Sequence, residues 1–288
     1  MFCIIQNIIF ALRLGSRRSV SDSIQSLANL DSGYAHPWAF FILLYITMKN
    51  SSFPPVKIAV LIDGGFFIKR FNALYNKERK MSGEEVANHL YTFAHSHVGK
   101  ENTLYRIFYY DCMPFSKKMH NPITHKAIDY SKTDEYKFRV DLFEALKMKR
   151  KVALRLGNLK DNNKWCIHGN KVKELLSGKI KIEDLTENDV YPEIRQKGID
   201  MKIGVDISSI ALKRFVDRII LVSGDADFVP AAKLARREGI DFILDPMKAN
   251  VEPCLFEHID GLDNKEIRIN KKAKAKPEAK VKKKAKKN

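Results

Sequence analysis

The chain has 288 residues, 45% hydrophobic and 30% charged, enough for one or two globular domains with a sizeable core. Its 51 Lys and Arg against 34 acids leave a formal charge of +17, which favours a polyanionic partner, nucleic acid being the commonest. Four scattered cysteines, Cys3, Cys112, Cys166 and Cys254, argue against a disulfide framework and suit a reducing, cytoplasmic setting. No run reaches the ~20 apolar residues of a bilayer span, so stable membrane insertion is not expected.

Residues 1–47 lack clear helix or strand periodicity. Their two apolar runs, Cys3–Leu12 and Trp38–Met48, are too short to span a membrane and lack the flanks of a signal peptide. The expectation is an N-terminal extension that is not native, with Met48 as the natural start. From Val56 the pattern becomes legible. Lys57–Ile62 is a short continuous apolar run, as in a strand buried on both faces of a parallel sheet. Similar runs follow at Leu104–Tyr110, Val152–Leu156, Arg218–Val222 and Asp241–Leu244. Between them lie helical stretches at Glu84–Val98, Thr133–Met148, Ile207–Val216 and Phe228–Glu238, the last stopped by Gly239. Strands alternating with helices predict an α/β fold, three-layered, with a mostly parallel central sheet and helices on both faces. One domain is expected over 48–268, with a polar stretch at about 160–196 that reads as an insertion or a long loop. The tail over 269–288 holds ten Lys and one Glu from Lys271 onward and is expected to be disordered. A homo-oligomer stays open.

Ligands of an open α/β sheet bind beyond the carboxyl ends of its strands. Asp63-Gly64-Gly65 follows the first strand and Ser223-Gly224-Asp225-Ala226-Asp227 the fourth, so Asp63 and Asp225 face each other if those strands are neighbours. Gathered carboxylates repel and raise one another's pKa, and they become favourable when they share a hard divalent ion such as Mg²⁺ or Mn²⁺. Asp200 opens a further helix, and Asp206 lies within it, about 120° round. Both can reach one site only if Asp200 stands at the very start. Each acid also has a plainer reading: Asp63 as a turn former, Asp200 as a helix cap, and Asp225 or, more naturally, Asp227 as the cap of the following helix. Cys166-Ile167-His168 reads as ordinary packing or surface, since no second half of a zinc site is in view.

The segments Lys57–Phe66 (KIAVLIDGGF), Gln196–Asp206 (QKGIDMKIGVD) and Ile219–Phe228 (IILVSGDADF) resemble the NYN domain in its LabA-like branch, with Tyr109–Asp111 and Leu154–Gly157 like its second and third strands. The resemblance covers about 56–247. It implies a PIN-like fold and metal-dependent ribonuclease chemistry. Metal-binding acids then fall on Asp63, Asp200, Asp225 and Asp227, with Asp206 as a further recurrent acid and Lys197 as a basic position that meets phosphate. Many such domains carry Asn three residues after the first Asp; here that position is Phe66, with Asn72 as a conceivable substitute.

On that reading Asp63, Asp200 and Asp225 are catalytic, serving Mg²⁺ or Mn²⁺, and RNA is hydrolysed to a 5′-phosphate and a 3′-hydroxyl. Lys197, Arg236 and Arg237 hold the strand, though the two arginines equally fit a solvated helix face. The Lys-rich tail adds salt-sensitive attraction without reading sequence. The rival reading is a non-catalytic RNA-binding or scaffold protein on the same fold. A small-molecule phosphatase is disfavoured, because it needs a nucleophilic Asp-x-Asp or a phosphate-cradling loop and position 65 is Gly.

Overall fold

A computed structural model of the chain describes residues 54–76 and 80–269. Of the two compact units, Met1–Pro54 and Pro55–Asn288, only the second is therefore described. The expected extension over 1–47, the start at Met48 and the tail beyond residue 269 lie outside the described residues.

Strand β1 (Lys57–Asp63) is the middle of a seven-stranded sheet. Its five residues Ile58–Ile62 are all fully buried, which is why they read as one unbroken apolar run. Ile58, Val60 and Ile62 point into one core, Ala59 and Leu61 into the other. The first core is covered by α1 (Gly64–Tyr75), α2 (Gly83–Val98) and α3 (Asp134–Lys147). The second lies under α5 (Ile199–Leu212), α6 (Val229–Arg237) and the short α7 (Pro253–Phe256). The expected three layers are present.

On one side β1 pairs in parallel with β2 (Thr103–Cys112), and β2 with β5 (Val152–Ile167); on the other it pairs with β7 (Arg218–Val222), followed by β8 (Asp241–Asp245) and β9 (Gly261–Leu262). The chain moves outward from β1 through β2 to β5, then returns to the opposite side of β1. The order reverses between β1 and β7, the place where α/β sheets open a ligand crevice.

The expected long loop over 160–196 is a correction. β5 runs ten residues past its last pairing with β2, at Cys112–Gly157, and folds against β6 (Val190–Lys197) as an antiparallel ribbon. Helix α4 (Gly169–Leu176) and two short 3-10 turns join its strands. Polar side chains hid these strands because a two-stranded ribbon buries little on either face. A small hairpin of β3 (Lys118–His120) with β4 (Ala127–Asp129) was equally silent.

Ser82 caps α2 through a capping box with Glu85. Gly239 ends α6 with a φ of +81°, as its sequence position suggested. His97, near the end of α2, is buried between two acids. Its Nδ1 is 3.1 Å from Asp263, and its Nε2 is 3.1 Å from Asp245 but out of line for a hydrogen bond. That clasp joins the last turn of α2 to the ends of β8 and β9.

Candidate metal centre

Asp63 ends β1, level with Tyr110 of β2, and its Oδ1 accepts from the Phe66 N–H at 3.1 Å, capping α1. The cap is the turn-forming role considered for it, and it fixes the carboxylate at the strand end. The two glycines after it differ. A Cβ on Gly64 would lie 2.6 Å from both the Tyr109 ring and the Tyr110 carbonyl oxygen, so only glycine lets α1 leave the strand so closely. A Cβ on Gly65 would meet nothing nearer than Asp63 Oδ1 at 3.5 Å.

β7 lies in register beside β1, Val222 opposite Ile62, so the Ser223–Asp227 turn emerges next to Asp63. Asp225 Oδ1 accepts from the Asp227 N–H at 2.9 Å and caps the short 3-10 turn Ala226–Phe228. The cap is thus Asp225 and not Asp227. The two turns touch through Phe66, whose ring sits 2.9 Å from where a Cβ on Gly224 would be. The residue that departs from the polar pattern therefore packs β1's exit against β7's. Asn72 does not take its place: it accepts from Asn76 at 2.8 Å, nine residues beyond Asp63.

Asp200 is the second residue of α5, behind Gly198, which adopts the left-handed conformation at φ +79°. It is not the helix cap. α5 is seated closely on the sheet, since a Cβ on Gly157 would come within 2.7 Å of Ile199. Asp206, further along α5, is engaged otherwise: its Oδ2 accepts from the Tyr110 hydroxyl at 2.9 Å and from Arg155 Nε at 3.0 Å.

Electrostatics ties the remaining acids together. Burial pushes the Asp63 carboxyl up to about 6, with Asp200 and Asp111 adding repulsion. Asp200 is also raised, by desolvation first and then by Asp225 and Asp227. Asp111 had not been singled out. It closes β2 fully buried, held by the Tyr109 hydroxyl at 3.1 Å, its neighbour's N–H at 2.8 Å and the Arg139 guanidinium. Burial raises it too, against the lowering pull of Arg139. The signal that could have found it is its position, an acid ending the apolar run of β2 just as Asp63 ends β1.

Among the described residues none of Asp63, Asp200, Asp225 or Asp227 forms an ion pair, whereas Asp111 has Arg139 and Asp206 has Arg155. Nor do three His, Cys, Asp or Glu side chains among them stand close enough to grip one ion. Of the basic positions, Lys197 ends β6 exposed, three residues before Asp200. Arg236 is committed to Asp260 at 2.8 Å and to the Glu257 carbonyl, while Arg237 lies exposed with only a 3.8 Å approach to Glu238. Cys166 is a free thiol and His168 packs on the Tyr191 ring.

The NYN domain family model matches residues 57–252, which takes in every strand from β1 to β8 and Asp63, Asp111, Asp200, Asp206, Asp225 and Asp227. The chain belongs to the NYN domain family. That membership makes it a nuclease-related, RNA-associated domain with a mixed α/β, PIN-like fold, in a family generally dependent on divalent metal. No curated protein matches it. Among solved structures, a protein of unknown function from Vibrio parahaemolyticus is 16% identical, at a TM-score of 0.37, over 74% of this chain and 94% of that one. Two Sir2 variants, one with 3′-O-acetyl ADP ribose and one with NAD, are 10% and 12% identical at TM-scores of 0.31 and 0.27. Each covers 78% of this NYN protein, and 94% and 93% respectively of its own chain. No helix among the described residues is long and apolar enough to cross a membrane.

Proposed function

We propose that this NYN protein, of the LabA-like branch, is a metal-dependent ribonuclease acting from the cytoplasm. Residues 48–268 would form the catalytic body and the Lys-rich tail over 269–288 a non-specific RNA tether. One observation carries the reading: Asp63 and Asp225 leave neighbouring strands at the sheet's switch point, Asp200 is electrostatically coupled to Asp63, Asp225 and Asp227, and none of the four has a cationic partner among the described residues. Charging Asp63 costs free energy: burial first, and then repulsion from Asp200 and Asp111, raise its carboxyl to about 6. An all-oxygen donor set open to water, with Asp63 half-buried and Asp200, Asp225 and Asp227 exposed, suits a hard ion that binds one or two carboxylates directly and keeps several waters.

Asp63, Asp200 and Asp225 would hold the ion, with Asp227 at the rim. Mg²⁺ or Mn²⁺ bound there supplies an activated water and charge stabilisation for the leaving oxygen. Asp63 is oriented by its own cap to Phe66, and Asp225 by the cap to Asp227. Asp111, fixed by Tyr109 and Arg139, keeps negative potential behind Asp63. Lys197 would neutralise a phosphate beside Asp200. Asp206, already shared by Tyr110 and Arg155, serves to seat α5 on β2 and β5.

The rival is an RNA-binding scaffold without turnover. Calorimetric titration with Mn²⁺ followed by an RNA-cleavage assay separates them. Saturable Mn²⁺ binding with chelator-sensitive cleavage supports the ribonuclease; Mn²⁺ binding without cleavage favours the scaffold.

A further inference from the structure

The β5–β6 ribbon leaves the sheet beside the acidic centre and carries its own charge pattern. Lys160 stands directly opposite Arg195 in the antiparallel ladder, and Lys197 lies two residues on, opposite Asn158, hence on the same face. All three cations are exposed. Like charges directly across a ladder are destabilising, and Glu193, paired to Arg195, is the one acid that meets them; Lys160 and Lys197 form no ion pair among the described residues. The uncompensated charge is therefore spare for an anion.

The ribbon is also braced and aimed. Lys117, in the loop after β2, pairs with Asp161 at 2.9 Å, and Asn121 donates to the Glu187 carbonyl at 3.3 Å. At its base Gln196 comes within 4.0 Å of where a Cβ on Gly65 would be, beside Asp63, and Lys197 leads through Gly198 into Asp200. At its far end the Tyr191 ring, 42% exposed, packs on His168 with centroids 4.7 Å apart. From Lys197 to Val190 the ribbon spans roughly 24 Å at about 3.4 Å per residue.

We infer that this ribbon is the track for the substrate, a single-stranded RNA whose phosphates lie along Lys160, Arg195 and Lys197 and whose base stacks on Tyr191. The inference rests on the ribonuclease reading, and names which strand reaches the acids and from which side. A flexible strand follows a narrow, twisted ribbon and offers unpaired bases to an aromatic ring; a duplex presents neither.

The test is fluorescence anisotropy with the full-length chain and a labelled single-stranded RNA 12-mer, in Ca²⁺ to stop turnover, at several salt concentrations. Lys160→Gln with Arg195→Gln should weaken binding about tenfold and lower the slope of log affinity against log salt by about 1.4, at roughly 0.7 per phosphate contact. Tyr191→Ala should cost about tenfold with an unchanged slope. Each variant must keep the wild-type melting temperature and Mn²⁺ titration, so that a lost fold or acidic centre is told apart from a lost track. Unchanged affinity and slope in the double variant overturn the inference, as does equal or tighter binding of the matching duplex. If no RNA is ever cleaved but the ribbon variants still lose binding, the ribonuclease reading fails and the track stands.

Discussion

Asp63 is asked to do two incompatible things at once. It caps α1, which stabilises the fold, and it sits where burial and its neighbours oppose its charge. Because its pKa is raised in the folded chain, the cost is absent below about pH 3.8, grows as pH rises toward 6 and is complete above it. A shift of about two units corresponds to ~3 kcal/mol at neutral pH. Asn caps a helix as well as Asp does. Asp63→Asn is therefore expected to stabilise the metal-free chain at pH 7.5 by about 2 kcal/mol, or roughly 4–8 °C in melting temperature. That gain should vanish near pH 4. Mn²⁺ should raise the melting temperature of the wild type and not of the variant. Differential scanning fluorimetry across pH, with and without Mn²⁺, checks all three. Most of this residue-scale picture was legible in the sequence, since acids following apolar runs are visible as such. Asp111 was not singled out because β2 continues one residue past it, to Cys112, and its partner Arg139 lies 28 residues away. The caps were misassigned between Asp225 and Asp227 because a one-turn 3-10 segment precedes α6.

Two neighbouring glycines set the path from β1 into α1 unequally. A side chain on Gly64 would collide with Tyr109 and with backbone that cannot give, while one on Gly65 finds room. Gly64→Ala is expected to destabilise by about 1–3 kcal/mol through overpacking. Gly65→Ala should stay within about 0.5 kcal/mol of wild type, as for a substitution that meets no close contact. Urea denaturation of the two variants measures this; equal losses would contradict the close approach of α1 to β2. At this scale the five parallel strands of the core were readable as apolar runs, because burial on both faces removes the alternation that would confuse them. The ribbon was not. Its strands mix half-covered and solvent-facing residues with no large apolar face, a pattern shared with loops, and its pairing is set by partners 23 to 39 residues apart. Phe66 shows the converse: a sequence departure read as a missing polar group is a packing residue holding two turns together through Gly224.

The whole described body is organised around one reversal of strand order. β1 and β7 lie side by side in parallel, so their exits open on the same edge of the sheet, and the helices that follow, α1 and α6, diverge to opposite faces. That divergence opens the edge of the sheet where Asp63, Asp225 and Asp227 emerge, with Asp200 near enough to be repelled by them. At the far side of the sheet the buried His97 clasp holds α2 against the ends of β8 and β9, so the closing segments are fixed to the first core. A basic ribbon stands on one flank of the crevice. Fold and charge thus converge on a place where RNA and a divalent ion would meet, and the central claim is that the aspartates there work as one centre.

Incubation of labelled RNA with the full-length chain in Mn²⁺, for the wild type and for Asp63→Asn combined with Asp225→Asn, tests that claim most directly. Both substitutions keep the helix caps, so circular dichroism should be unchanged. Chelator-sensitive cleavage by the wild type, reduced at least about a hundredfold in the variant, is the outcome expected for loss of a metal centre. Cleavage by the variant at the wild-type rate would contradict it.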